Sequence, residues 1–165
     1  MVMRLLVVVA LLAALAGCSR EPRILTYDGP EVTRVIINKG PREMFLMHHD
    51  QVLEAYRVDL GFAAEGHKLR EGDGRTPEGD YTIDRRNPES AYHLSLGISY
   101  PDEEDVARAR AMGVDPGGDI FIHGESRRFF GPGPDWTAGC ISVRNREIEQ
   151  IYAMAPNGTP ITINP

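Results

Sequence analysis

Short apolar and β-branched runs, separated by clusters of Gly, Pro, Asn and Asp, recur along this chain in the manner of a protein built from short strands. Thr33 to Ile37 is β-branched and reads as a strand, Asn38-Lys39-Gly40-Pro41 as a turn, and Glu43 to Met47 as the returning strand. His48-His49-Asp50-Gln51 makes a second polar turn. From Val52 to Leu60 the period is two: Tyr56, Val58 and Leu60 alternate with Arg57 and Asp59, as in a half-buried strand. Gly61 to Gly79 carries five glycines among charged residues and reads as a long exposed loop. Tyr81 to Asp84, Tyr92 to Ile98, Ile120 to His123, Ile141 to Val143 and Ile161 to Ile163 complete the expected strands.

Two stretches break this pattern. Asp102 can cap a helix from about Glu103 to Met112, with acids in its first turn, Arg108 and Arg110 further on, and Gly113 as its stop. A second helix starts at Asn145 and places Ile148, Ile151, Tyr152 and Ala155 on one face, ending by Pro156-Asn157-Gly158. Strands that mostly do not alternate with helices predict a mainly β domain, a β-sandwich or barrel-like fold with two short α-helices, rather than a parallel α/β sheet.

The first residues follow another logic. Arg4 precedes the apolar run Leu5 to Leu15, which is too short for the roughly 20 residues that span a bilayer, and Leu15-Ala16-Gly17-Cys18 follows. The stretch reads as a signal peptide, and Leu-Ala-Gly-Cys resembles the lipobox of bacterial lipoproteins. That resemblance implies cleavage before Cys18 and lipidation of its thiol, and hence a membrane attachment through the lipid. The expected organisation is a leader over 1–17, a polar tether over 18–30 and one domain over 31–165, in keeping with a chain of 165 residues. Ser19 stands where an inner-membrane retention signal usually has Asp, so the expected location is the periplasmic side of the outer membrane. A net charge of −6 argues against a nucleic-acid partner, which would need a surface dominated by Lys and Arg.

With Cys18 acylated, Cys140 has no partner for a disulfide in an oxidising compartment. A lone cysteine is more often a small core residue than a nucleophile. Here it sits in Trp136-Thr137-Ala138-Gly139-Cys140-Ile141-Ser142-Val143, a turn entering a strand, while Asp119-Ile120-Phe121-Ile122-His123-Gly124 is an apolar strand ending in a histidine. A thiol attacks an acyl carbon as its thiolate and needs a base, and the imidazole of His123 is the natural candidate. Gly139 lets the backbone come close to a substrate, so the amides of Gly139 and Cys140 could face the oxyanion of a tetrahedral intermediate.

These residues resemble the L,D-transpeptidase catalytic (YkuD-like) domain of bacterial cell-wall enzymes. Its signature is His-Gly or His-Ser, a loop, then Ser/Thr-x-Gly-Cys and an apolar residue. His123-Gly124 begins 17 positions before Cys140, within Thr137-Ala138-Gly139-Cys140-Ile141. Thr76-Pro77-Glu78-Gly79-Asp80-Tyr81 and Pro156-Asn157-Gly158-Thr159-Pro160 are similar to two further segments of the family. The run Glu71 to Gly79 and His93-Leu94-Ser95-Leu96 look closest to a proteobacterial branch that includes enzymes acting on lipoprotein attached to peptidoglycan. The resemblance implies the family's fold, with Cys140 as nucleophile, His123 as general base and later acid, and the carbonyl of Gly124 orienting the imidazole. It implies no cofactor and no metal. Ala138 stands where many members have His or Lys, and Ser142 where many have Arg or Asn. Thr137, Ser142, Arg144 and Trp136 are the candidate substrate-binding residues. Thr137 could equally fix the turn, Trp136 be ordinarily half-buried, and Arg144 flank a helix.

The remaining histidines carry less. His48-His49 falls in a turn without metal-ligand spacing, and His67 has no evident role. Tyr92 and His93 could line a cleft, with packing the better expectation. Gly72-Asp73-Gly74 lacks the Lys-Ser/Thr of a phosphate loop. The leading functional expectation is therefore a cysteine acyltransferase on peptidoglycan stem peptides. Its acceptor is either an amine or water, the latter making it a carboxypeptidase or an amidase that detaches outer-membrane lipoprotein. A non-catalytic wall-binding lipoprotein and a redox-sensing thiol are the alternatives.

Overall fold

A computed structural model describes residues 22–125 and 134–165; the leader, Cys18 and the first part of the tether lie outside them. Eight strands follow one another as β1 Arg34–Asn38, β2 Glu43–His48, β3 Gln51–Arg57, β4 Gly79–Asn87, β5 Ser95–Ile98, β6 Phe121–His123, β7 Ile141–Ser142 and β8 Pro160–Asn164. Among the described residues two helices accompany them, α1 Glu103–Met112 between β5 and β6 and α2 Asn145–Met154 between β7 and β8. The strands form one sheet in the order β3-β2-β1-β8-β4-β5-β6-β7. This is the mainly β, barrel-like architecture expected, with two short helices.

Alternation decides which side faces inward. In β1 Val35 and Ile37 are fully buried, and in β2 Met44 and Leu46 are too. β8 runs parallel to β1 and antiparallel to β4, so the C-terminal strand lies inside the sheet. β4 is longer than expected from Tyr81 to Asp84, because two neighbours share it. Gly79 to Thr82 pairs with β8, whereas Ile83 to Asn87 pairs with β5 across an irregular register. The strand thereby turns the sheet from one wall into the next.

The two edges then meet. Beyond β3 the chain passes along β7, where Asp59 and Ser142 exchange backbone hydrogen bonds of 2.9 and 2.8 Å. Next to them Thr137 donates to the Leu60 carbonyl at 3.1 Å and accepts from the Phe62 amide at 2.9 Å. Tyr56, Val58 and Leu60 stay buried through this passage, so the alternation outlasts the strand itself. The curled sheet encloses the core together with the α2 face of Ile148, Ile151 and Tyr152, and Ala155 is buried just after the helix.

Both helices begin where expected. Asp102 and Asp105 form a capping box on α1, with bonds of 2.8 and 3.2 Å, and Gly113 ends it in the left-handed region at φ 69°. The segment from Gly61 to Gly79 corrects the expectation of an exposed loop. It is irregular but partly buried, with Lys68 and Thr76 at 3% and 0% exposure. Charged side chains replace the missing sheet bonds: Lys39 Nζ donates to the carbonyls of Gly66 and Thr76 and to Glu78, at 2.7, 2.9 and 2.7 Å. Asp73 accepts the amides of Leu69, Arg70 and Arg75 and the ammonium of Lys68.

The described part of the tether lies along this body without joining the sheet. Arg23 donates its amide to Glu149 at 3.0 Å, and Tyr27 packs against the core.

Candidate active site

The site forms where the parallel strands β6 and β7 lie side by side. Ile122 pairs with Ile141 and His123 with Ser142, which sets Phe121 beside Cys140. Alternate residues of neighbouring strands share a face, so the register brings the Cys140 thiol and the His123 imidazole to one side, two residues out of step.

His123 is 4% exposed and directs Nδ1 at the carbonyl of Gly124, 2.7 Å away. A carbonyl only accepts, so the neutral ring carries its proton on Nδ1 and keeps a lone pair on Nε2. Burial lowers the pKa of this histidine from its ordinary value, and the Gly124 carbonyl offsets that only in part. Gly124 is confined in turn. A Cβ at this position would lie 2.9 Å from the Tyr92 carbonyl and 2.5 Å from Asn145 Oδ1, so only glycine lets the backbone pass between the turn before β5 and the start of α2.

Cys140 is half-buried, and its thiol donates to the carbonyl of Asp119 at 3.5 Å. Burial raises the thiol pKa above its ordinary value, with the Phe121 amide opposing and Asp119 adding to the rise. Burial thus favours the uncharged form of both groups, a protonated thiol and a neutral imidazole.

The turn before the nucleophile depends on Thr137. Its hydroxyl donates to the Cys140 carbonyl at 2.7 Å and accepts the Gly139 amide at 3.1 Å, and the residue is 4% exposed. Of the two roles expected for Thr137, these bonds are those of a residue that fixes the turn, and the Gly139 amide, expected to face an oxyanion, is bonded to the Thr137 hydroxyl. Gly139 has φ 134°, and a Cβ there would lie 2.7 Å from the Arg75 carbonyl. Close packing against the irregular segment, and not only access for a ligand, requires glycine.

The other expected residues lie around this centre. Trp136 is half-buried and edge-on to His123, with ring centroids 5.7 Å apart. Ser142 is buried beside His123 and, with the exposed Arg144, lines a cavity of 560 Å³. Arg42, Arg57, Asp59 and Glu125 also border that cavity. Arg42 is paired with Asp135 at 2.6 Å, whereas among the described residues the guanidinium groups of Arg57 and Arg144 form no ion pair, and the Arg144 amide donates to Glu147 at 2.8 Å. Among the described residues no group of His, Cys, Asp and Glu side chains converges as metal ligands do.

Two further contacts at the site had no role assigned from the sequence beyond a possible cleft position for Tyr92. Tyr92, expected to be a packing residue, stacks on His123 with centroids 4.5 Å apart and planes 36° apart. Asp119 supplies the carbonyl that holds the resting thiol. The pairing of Ser95 with His123 and the bond from the Gly124 amide to the Tyr92 carbonyl place Tyr92 there, and no local pattern announces that register.

Comparisons with known proteins agree on one family. The family model of the L,D-transpeptidase catalytic domain (YkuD) matches residues 32–163. YafK of Escherichia coli (strain K12), assigned to the L,D-transpeptidases by name only, is 30% identical over 104 residues, covering 62% of this chain and 37% of that protein. YqjB of Bacillus subtilis, likewise assigned by name, is 28% identical over 133 residues, 78% of this chain and 69% of its own length. Among solved structures, the helical cell shape determining protein Pgp2 of Campylobacter jejuni superposes with a TM-score of 0.62 at 22% identity. It covers 88% of this chain and 51% of its own. Mycobacterium tuberculosis L,D-transpeptidase 1 gives 0.53 at 10% identity, covering 82% of this chain and 62% of its own. The chain thus spans little more than a third of YafK and about half of Pgp2.

Proposed function

Because the chain belongs to the L,D-transpeptidase catalytic-domain family, we propose that it transfers acyl groups of peptidoglycan stem peptides through a thioester on Cys140. The observation that carries this reading is the bond from His123 Nδ1 to the Gly124 carbonyl. It leaves Nε2 as a base on the face that also bears the thiol.

In the proposed first step the thiol leaves the Asp119 carbonyl and gives its proton to His123 Nε2 as sulfur bonds to a peptide carbonyl carbon. In this proposal the Cys140 amide serves as the main-chain donor to the resulting oxyanion. Collapse breaks the carbon–nitrogen bond, and the departing amine takes the proton from Nε2, leaving a thioester. An acceptor amine then attacks the thioester and passes its proton to Nε2, and the sulfur leaves and recovers that proton. Water in the acceptor's place gives hydrolysis by the same proton movements. A base of low pKa suits both directions, since the imidazole is neutral when it must accept and readily gives the proton up.

A periplasmic protein attached to the outer membrane by a lipid on Cys18 is part of the same proposal. It is supported by the leader and by Leu15-Ala16-Gly17-Cys18. Lipoprotein linked to peptidoglycan is one substrate that this location brings within reach.

The test is to incubate the purified protein with muropeptides and to identify the products by mass spectrometry, beside Cys140→Ala. Cross-linked or shortened peptides are expected with wild type alone, and the product also tells amine from water as acceptor. A carbapenem should add its mass to wild type and not to Cys140→Ala. No adduct and no turnover, with peptidoglycan binding retained, would instead establish a non-catalytic wall-binding protein.

A further inference from the structure

Behind the catalytic histidine lies a buried pair that takes no part in the proton movements above. His93 Nε2 is 2.8 Å from Glu149 Oε1, and the residues are 3% and 8% exposed. The same oxygen accepts the amide of Arg23 at 3.0 Å. Burial alone would raise the pKa of this carboxyl, but the Arg23 amide and the His93 ring outweigh it and hold it below the ordinary value. Glu149 is thus a carboxylate, and His93 carries a proton on Nε2 to donate to it.

The backbone of His93 is left-handed, with φ 73°, a region that residues with a Cβ adopt infrequently. Its side-chain bond to α2 holds it there. Tyr92, one residue earlier, stacks on His123 and accepts the Gly124 amide on its carbonyl at 3.0 Å. The His93 Cβ would lie 3.1 Å from a Cβ placed on Gly124, the residue whose carbonyl orients the imidazole. Two short routes therefore join the pair to the catalytic ring, one through the Tyr92 face and one through the Gly124 peptide.

We infer that His93 and Glu149 are positioning residues, whose bond anchors the Tyr92-His93 turn to α2 and so fixes how His123 presents Nε2 to Cys140. The inference rests on the acyl-transfer reading above. A small tilt of the ring would misplace the proton acceptor while leaving the binding surface in place, so it should act on the chemical step.

The experiment follows carbapenem acylation of Cys140 in the full chain by intact mass over time, at several concentrations, to separate the limiting rate from half-saturation. His93→Ala and Glu149→Ala should lower the limiting rate by about tenfold or more, with half-saturation changed by less than about threefold. Glu149→Gln keeps an oxygen acceptor at the same reach and should restore most of the rate. Tyr92→Ala should slow acylation too, and combining it with His93→Ala should add little, as expected of residues acting through one another. Should His93→Ala fail to fold, His93→Gln and Glu149→Gln carry the comparison, with thermal unfolding as the control.

A wild-type limiting rate in the His93 variants, a loss confined to half-saturation, or additive effects with Tyr92→Ala would each overturn the inference. If wild type itself takes no acyl group, the acyl-transfer reading falls and this inference with it. An acylated wild type beside unaffected variants removes the inference alone.

Discussion

The Thr137 hydroxyl and the Cys140 carbonyl are joined by a 2.7 Å hydrogen bond that closes the turn in front of the nucleophile. With the Gly139 amide on the same oxygen, one side chain satisfies two main-chain groups of that turn. Removing it leaves buried polar groups unpaired, each costing about 1–3 kcal/mol. Thr137→Val, equal in size, should lower unfolding stability by about 2 kcal/mol and reduce acylation of Cys140. Thr137→Ser should remain near wild type in both. Denaturant unfolding and intact-mass acylation check the pair, and unaltered Thr137→Val would show that the turn does not need the hydroxyl.

Gly139 and Gly72 both have positive φ, at 134° and 71°, but only Gly139 is enclosed. A methyl group on Gly139 meets the Arg75 carbonyl, whereas nothing lies within 4 Å of one on Gly72. Gly139→Ala should therefore abolish carbapenem acylation and lower the melting temperature sharply. Gly72→Ala should cost about 1 kcal/mol of backbone strain and leave acylation intact. Equal behaviour of the two variants in a thermal melt would contradict the close approach at Gly139.

The elements that could be read along the chain are those whose reason is local. Asp102, the acids after it and Gly113 are the physical causes of the ends of α1, and all lie within the helix or at its borders. The same holds for Tyr56, Val58 and Leu60, whose alternation reflects one buried side. The residues of the thiol and the histidine were legible as strand-end motifs, though their shared face depends on a parallel pairing that the motifs do not contain. What escaped the sequence depends on distant partners. The segment 61–79 looks solvated because it is rich in glycine and charge, yet Lys39 and Asp73 use that charge to satisfy buried backbone. Thr137 matched a family motif without disclosing that its hydroxyl faces inward. His93 has no identifiable role until Glu149, 56 positions later, is brought against it.

Asp73 offers a stability test apart from the active site. Burial would raise its pKa, but the amides of Leu69, Arg75 and Arg70 and the Lys68 ammonium outweigh this and lower it from 3.8 to about 2. The folded carboxyl binds its proton more weakly than the unfolded one. Its contribution is therefore full above the unfolded value and lost as pH falls from about 4 to about 2. Asp73→Asn should lose about 2 kcal/mol at neutral pH, with the difference from wild type shrinking through that acid window. Urea titrations at several pH values measure it, and a difference that does not change with pH would assign the loss to altered packing.

Arg144 is exposed at the start of α2 and borders the cavity beside Ser142; its amide donates to Glu147, and among the described residues its guanidinium forms no ion pair. A guanidinium so placed can meet a peptide carboxylate, a contact made in the ground state and the transition state alike. Arg144→Ala should then raise KM for an acidic stem peptide by about tenfold, with kcat changed by less than about twofold. Arg144→Lys should recover part of the loss. Steady-state kinetics decide the matter, and a fall in kcat at constant KM would place the residue in the chemical step.

The proton positions at His123 and Cys140 lead to opposite pH responses in two reactions of one sulfur. Burial lowers the His123 pKa and raises the Cys140 pKa from their ordinary values, which favours a protonated thiol and a free imidazole at neutral pH. Alkylation by iodoacetamide needs only thiolate, and its rate should still be rising at pH 9. Acyl transfer uses the neutral imidazole as base, so its kcat/KM should stay level through neutral pH and fall only below the ordinary histidine range, as the ring becomes protonated. His123→Gln should reduce kcat/KM by about a hundredfold or more and remove that acid limb, because general-base assistance is worth that much. The same substitution should leave the high-pH rise of alkylation in place. A preformed thiolate and imidazolium pair would behave otherwise, giving fast alkylation at pH 7 that His123→Gln abolishes, and that result would reverse the proton assignment drawn from the Gly124 carbonyl.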